Sequence, residues 1–318
     1  MTENEFYMMV KDNIPNYLPK EYLDSEITLE QVTKNNDSVM TGLAVRKPGE
    51  DGAPLIYLTD IYEDFLEGTS IHDICEAIAR NVCRYDNLGF SISDIDLSYE
   101  AIRDKLRIKA INSDANEQLL TNVISRDAGC GYSLVAYMDV DIGIDPNFGG
   151  TIQITRDMAA LFDYSDRQVI HDAVMGSLQY GGARLNRIQD VVMFRSPCAD
   201  LLTQDPGDNR PAGPMVLTNS DGVLGASVLF LPGIKEKVAE AVGGSYYVLP
   251  SSIHEFLIIP EDKDTHPQDL AEMVKRVNES MVAPEEQMGN RVLRYDAETK
   301  SLDIAADMDR DVERGEER

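Results

Sequence analysis

The stretch Tyr246-Tyr-Val-Leu-Pro-Ser-Ser-Ile-His-Glu-Phe-Leu-Ile-Ile259 decides how this chain is read. Two apolar runs, Tyr246–Leu249 and Glu255–Ile259, flank the hydrophilic break Pro250–His254. Short runs rich in aromatic and branched residues favour strands, and a break this brief joins them as a hairpin with its turn exposed at the rim of a sheet. Upstream, Met215–Thr218 and Ala226–Leu231 read as strands and Ile234–Val242 as a helix. Downstream, Leu270, Met273, Val274, Val277 and Met281 recur at helical spacing over Pro267–Met281. The order strand–helix–strand–strand–helix from Ala226 to Met281 predicts an α+β (mixed α/β) fold, with sheets whose helices pack mainly on one face. Arg291–Tyr295 and Ser301–Ala305 form a closing hairpin.

Working outward, Phe6, Met9, Val10 and Ile14 predict an opening helix up to Pro15. Ile27–Lys34 and Ser38–Arg46 read as a hairpin turning on Asn35-Asn36-Asp37, followed by a strand at Pro54–Leu58. Ile71, Ile74, Cys75, Ile78, Ala79, Val82 and Cys83 then fit one apolar stripe of a helix capped by Ser70. A helix over Leu97–Leu106 leads into a strand at Arg107–Ile111, and Asp114 with Glu117 has capping-box spacing. Tyr132–Val140 and Gly150–Thr155 read as strands, and Ser165 with Gln168 opens a helix from Asp166. The breaker-rich run from Gln204 to Pro214 marks a loop or linker at 204–214. It divides an amino-terminal α+β region, 1–203, from a carboxyl-terminal region, 215–305, and 306–318 reads as a disordered tail.

At 318 residues the chain has the length of two domains or one large one. Its 43% apolar and 27% charged residues are ordinary for a globular protein. The net charge of −27 is not ordinary, and it disfavours both nucleic-acid backbones and anionic lipid as partners. Acids outnumber bases 20 to 7 in residues 1–100 and 23 to 12 in 201–318, but only 13 to 10 in 101–200. The middle third is therefore the least repulsive to an anion. A basic protein surface is the expected macromolecular partner, if there is one. No basic, apolar leader opens the sequence and no apolar run reaches the ~20 residues of a spanning helix, so a cytoplasmic location is expected. Cys75, Cys83, Cys130 and Cys198 lack paired spacing and read as reduced thiols.

Phosphate-loop, dinucleotide-loop, nucleophile-elbow and zinc-protease signatures are all absent, and no cofactor is expected. His254-Glu255 begins like the last of these but has no second histidine one helical turn on. Two segments remain as candidate sites. In the break near position 253, an extended backbone puts Ser252 and His254 on one side, where a hydroxyl could meet an imidazole base; Ser251, Glu255 and Tyr247 are candidate binding residues around them. Glu255 faces away, so the acid orienting the ring must come from elsewhere in the fold. The same residues also read as a turn whose hydroxyls satisfy backbone groups. The second segment is Asp139-Val-Asp141, whose two carboxylates share a strand face and suit a hard divalent cation, though they read equally as solvated strand-end acids. The acids of Thr59–Gly68 read as stabilising a helix start.

Met215-Val-Leu-Thr-Asn219, Gly225-Ala-Ser-Val-Leu-Phe230, the Leu249-Pro-Ser-Ser-Ile-His-Glu255 block and Arg291-Val-Leu-Arg-Tyr-Asp296 resemble recurring blocks of the domain of unknown function 5688 family. Ile56–Phe65 and Lys109–Leu120 resemble it too, so the similarity spans about residues 30 to 296. The resemblance implies an intracellular bacterial protein and brings no activity or catalytic residue with it. Missing catalytic signatures and an acidic surface favour a non-catalytic binding or regulatory module. The alternative is a hydrolase or transferase working through Ser252 and His254.

Overall fold

A computed structural model describes residues 1–49, 53, 55–86, 96–141, 149–193, 200, 202 and 213–309. The chain divides into two compact units: 1–34, 38–98 and 141–149 form the first, and 35–37, 99–140 and 150–318 the second.

In the first unit, α1 (Glu3–Asn13) opens with a capping box in which Thr2 and Glu5 satisfy each other's backbone N–H groups. Strands β1 (Glu26–Thr33) and β2 (Val39–Arg46) pair antiparallel, and β3 (Leu55–Tyr57) adds to β2 before α2 (Leu58–Leu66). The hairpin turns through Asn36 and Asp37 at φ 58° and 49°, a left-handed region these residues reach more readily than most. Helix α3 (Ile71–Asp86) is capped by Ser70 Oγ, which accepts the Asp73 N–H. It buries Ile74, Cys75, Ile78, Ala79 and Val82 against Phe6, Tyr7, Val10 and Leu43, the face its periodicity predicts. The acids near α2 are placed otherwise than expected, for only Asp60 lies in its first turn. The macrodipole therefore does not account for Glu63, Asp64 or Glu67.

The second unit begins with α4 (Tyr99–Ile102), β4 (Leu106–Asn112), α5 (Glu117–Asn122), β5 (Ser125–Gly129), β6 (Tyr132–Asp141) and β7 (Gly149–Gln153). Strand β6 pairs with β4, β5 and β7 in one sheet. Then come α6 (Arg156–Ala159), α7 (Asp166–Gly176), a π-helical turn at Ser177–Gly181, β8 (Arg184–Arg187), α8 (Ile188–Val192) and β9 (Met215–Thr218). A 3₁₀ turn at Gly225–Phe230 precedes α9 (Ile234–Val242), β10 (Tyr246–Ser252), β11 (Glu255–Pro260), α10 (Pro267–Met281), β12 (Arg291–Asp296) and β13 (Ser301–Asp307). The last six strands form one antiparallel sheet in the order β13-β12-β10-β11-β9-β8.

Strand alternation assigns the two faces of that sheet. Tyr247, Leu249 and Val292 pack under Ala271 and Val274 of α10. On the opposite face, Phe256 meets Tyr132 and Phe230 with ring centroids 5.8 and 6.2 Å away. The fold is α+β, as the order of elements implies.

Two expectations need correction. Ala226–Leu231 is the buried 3₁₀ turn, not a strand: the run has no polar alternation to hold a strand face, and Leu224 enters it in the left-handed region at φ 54°. Gly225 is required there, because a Cβ would come within 2.2 Å of Thr218 Oγ1 and 2.6 Å of the His254 carbonyl oxygen. Second, β8 and β9 lie on either side of the 204–214 run and pair with each other, so one sheet draws on residues both before and after it. Breakers mark a loop, but they do not say whether it leaves the sheet for good. Of the expected tail 306–318 the structure describes residues to 309, where the Asp309 carboxylate accepts the Asn290 N–H and Nδ2–H at 2.9 and 2.7 Å. Residues 203–212 and 310–318 lie outside the described residues.

Asp114 does not cap α5. Its carboxylate accepts from Arg291 Nη2 at 2.7 Å, while Asp37 accepts the N–H groups of Gln118 and Leu119 at that helix start. Arg291 is 1% exposed; it donates also to the Cys130 carbonyl at 3.0 Å, and its Nε lies 3.8 Å from Asp307. Burial works against the charge, yet the bond to Asp114 and the nearby carboxylates hold the guanidinium above its ordinary pKa. Gly131, at φ 78°, leaves it room, since a Cβ there would sit 1.3 Å from Nη1.

Candidate functional site

The predicted hairpin turns on two residues, Ile253 and His254, with Ser252 opposite Glu255 and a register shift between Pro250 and Ser252. Bonds knit the turn from every side. Ser252 Oγ accepts the His254 N–H at 3.1 Å, and Thr218 Oγ1 donates to the His254 carbonyl at 2.8 Å. The Ile253 N–H donates to the Glu286 carbonyl at 2.9 Å. On the imidazole, Nδ1 accepts the Leu224 N–H at 3.1 Å, so the ring proton sits on Nε2 and points at Glu286 Oε1, 3.3 Å away. Both ring nitrogens are thereby committed.

Ser252 is beside His254, as expected, but its hydroxyl serves the backbone and not the ring. Glu286 is the acid supplied by the fold. It lies 32 positions away in sequence, and no local signal announces it. Ser251 Oγ donates to Glu255 at 3.2 Å. Tyr247 lies apart, on the α10 face, where its hydroxyl reaches Glu261 at 3.4 Å and burial raises its pKa.

The Leu224 amide held by His254 leads to a cavity of about 140 Å³ within the second unit. Register builds its floor: Arg107 of β4 pairs directly with Tyr137 of β6, and Asp139 stands two residues on along the same face. Arg107 is 14% exposed. Its Nη1 donates to the Asp104 and Leu106 carbonyls at 2.9 and 2.8 Å, and its Nε lies 3.3 Å from Asp139 Oδ2. The Tyr180 ring lies against the guanidinium at 4.9 Å. Burial lifts the Asp139 pKa, the Arg107 charge opposes this, and Asp221 adds to the rise. Tyr137 is 7% exposed and also pushed up by burial, and its hydroxyl makes no hydrogen bond among the described residues.

The rim combines two unusual backbone features. The π-helical turn Ser177–Gly181 forms one side, and its Ser177 Oγ accepts the Ile108 N–H at 2.9 Å. The loop Asn219–Leu224 forms the other, tied to the first by the Ser220 N–H on the Gly181 carbonyl at 2.8 Å. Gly182, at φ 63°, is needed at this seam, since a Cβ would meet Ser220 Oγ at 2.6 Å. Asn219 Nδ2 donates to the Val223 carbonyl at 2.7 Å, while its buried Oδ1 has no partner among the described residues. Leu224 closes the loop in its left-handed conformation, latched by His254.

Of the predicted metal pair, Asp139 enters this cavity and is bound to Arg107; the Asp141 side chain lies outside what the structure describes. A trio with metal-ligand spacing occurs elsewhere, at His72, Asp73 and Glu76 of α3, fully on the surface, where His72 Nδ1 bonds the Tyr17 hydroxyl at 3.0 Å. Sequence reading missed Arg107, Tyr137, Asn219 and Asp221. Its available signal was polar residues on one face of two otherwise apolar strands, near the glycine-rich bends at 181–182 and 222. Cys75, Cys83 and Cys130 are free thiols; Cys198 lies outside the described residues. Among the described residues no helix is long and apolar enough to cross a membrane.

These features define an α+β protein with antiparallel sheets and a small cavity of mixed charge. A family model matches residues 3–297, and the chain belongs to that family, DUF5688, a family of unknown function. Comparison with curated proteins and with solved structures finds no match.

Proposed function

We propose that the protein is a non-catalytic binding module and that its ligand enters the cavity floored by Arg107, Tyr137 and Asp139. The observation that carries this reading is the Tyr137 hydroxyl. It makes no hydrogen bond among the described residues and belongs to the cavity lining, so a ligand there can bond it in place of solvent. The π-helical turn and left-handed Leu224 at the rim support the reading, because such irregular backbone is kept where it shapes a site. The arrangement at Ser252 and His254 supports the non-catalytic part: to act as a base the ring would have to give up the Leu224 N–H and swing its Nδ1 to Ser252.

The test is a ligand screen on the labelled full-length protein, following the amide signals of Ser177, Asn219 and Leu224. Binding that shifts these three together, and weakens in Tyr137→Phe, is the expected result. Ester or amide turnover lost in Ser252→Ala would overturn it in favour of the hydrolase reading.

A further inference from the structure

Resting on that reading, we infer that the cavity selects a small organic cation: a protonated amine carried on a short alkyl body. Three ionised groups among the described residues line the cavity. Arg107 and Asp139 are paired at 3.3 Å and cancel, whereas Asp221 makes no hydrogen bond or ion pair among the described residues and faces the same space. One negative charge is therefore left over. An entering anion would meet two carboxylates for a single guanidinium whose Nη1 and Nε are already committed. An entering ammonium instead finds the Asp221 carboxylate, the far side of the Asp139 carboxylate and the lone pairs of the partnerless Tyr137 hydroxyl. Charge-assisted hydrogen bonds of this kind are about twice as strong as neutral ones.

The Asn219 Oδ1 adds a further acceptor at the rim. The remaining wall is apolar, with Val223, Leu224, Val228 and Leu231, and suits methylene groups more than a second charge. Size sets the length. A space of about 140 Å³ is close to the ~150 Å³ void that encloses one benzene, so roughly six non-hydrogen atoms fit. A divalent metal is a poorer match, because among the described residues neither Asp139 nor Asp221 belongs to a trio of close ligand atoms.

Three probes of nearly equal shape separate the possibilities: n-butylammonium, n-butanol and butyrate, each titrated into the labelled full-length protein. Butylammonium is expected to shift the Ser177, Asn219 and Leu224 amides at about tenfold lower concentration than either of the others. Asp221→Asn should weaken butylammonium about fivefold and leave butanol unchanged, a loss in the range of one partly exposed charged hydrogen bond. Tyr137→Phe, which removes no hydrogen bond among the described residues, should weaken it by a similar factor with the fold intact. If butyrate or butanol shifts these amides as well as butylammonium does, the cation assignment is wrong while the cavity remains a binding site. If none of the three moves them, the cavity reading fails and the assignment goes with it.

Discussion

Two arginines of the second unit, Arg291 and Arg107, are each paired with aspartate, and they do opposite things. Arg291 is sealed: Asp114, Asp307 and the Cys130 carbonyl surround it, and Gly131 is hollowed out to admit it. Arg107 is half of an unfinished arrangement, with one carboxylate paired to it, a second left over and a tyrosine hydroxyl beside them without a bond. A charge closed off from solvent and ringed by carboxylates builds structure, even with its Nε 3.8 Å from Asp307 and without a hydrogen bond of its own among the described residues. One whose neighbourhood is incomplete leaves room for something else to complete it.

The largest expected effect comes from breaking the sealed arginine. Arg291→Ala leaves the buried Asp307 without its cation, while the exposed Asp114 can hydrate, and should cost about 3–5 kcal/mol in urea unfolding. A loss under about 1 kcal/mol would show that the two arginines are not different in kind. Arg107→Met should cost less, roughly 1–2 kcal/mol, because Asp139 is half exposed and can hydrate once its partner is gone. The same change should strengthen butylammonium binding, since both carboxylates then face the cavity, and weaker binding in this variant would contradict the charge balance drawn above.

The pH dependence sharpens the contrast further. Burial holds the Asp139 carboxyl above its ordinary pKa, so the folded state takes up its proton more readily than the unfolded chain. Its contribution is thus fully present below the ordinary carboxylate range and is lost as pH rises through the raised value. Asp139→Asn should flatten the stability profile in that interval, measured as the urea midpoint against pH, and an unchanged profile would count against burial as the cause. Glu261 carries the opposite sign. Its bonds from Arg294 lower its pKa, so its contribution is present above the ordinary value and lost as pH falls.

The smallest effect should come from Tyr137→Phe. Because its hydroxyl has no partner among the described residues, its removal should leave stability unchanged or raise it by up to about 1 kcal/mol. A loss above that in urea unfolding would reveal a native partner and remove the main reason for placing a ligand there.

Elements with strong periodicity were legible at once. The stripe from Ile71 to Cys83, the hairpin on either side of Pro250–His254 and the helix Pro267–Met281 occur at or near the predicted positions. Gly225–Phe230 was not legible as a turn, because an apolar run buried all round carries no period to separate strand from helix. The site was legible in part: Asp139 stood out as an acid in an apolar strand, and Ser252 and His254 as a polar break. Glu286 beside His254, Asp37 at the start of α5 and Asp221 beside Asp139 come from distant parts of the chain, and no spacing rule connects them.

What the chain determines by itself is local. Alternation selects which side of β6 Tyr137 and Asp139 share, and 3.6-residue periodicity selects the buried face of each long helix, because both follow from backbone geometry a few residues at a time. Which arginine is sealed and which is left open was decided only by tertiary structure. That outcome depends on how many partners strands far apart in sequence bring within 3 or 4 Å, and on whether a glycine such as Gly131 leaves the space for them.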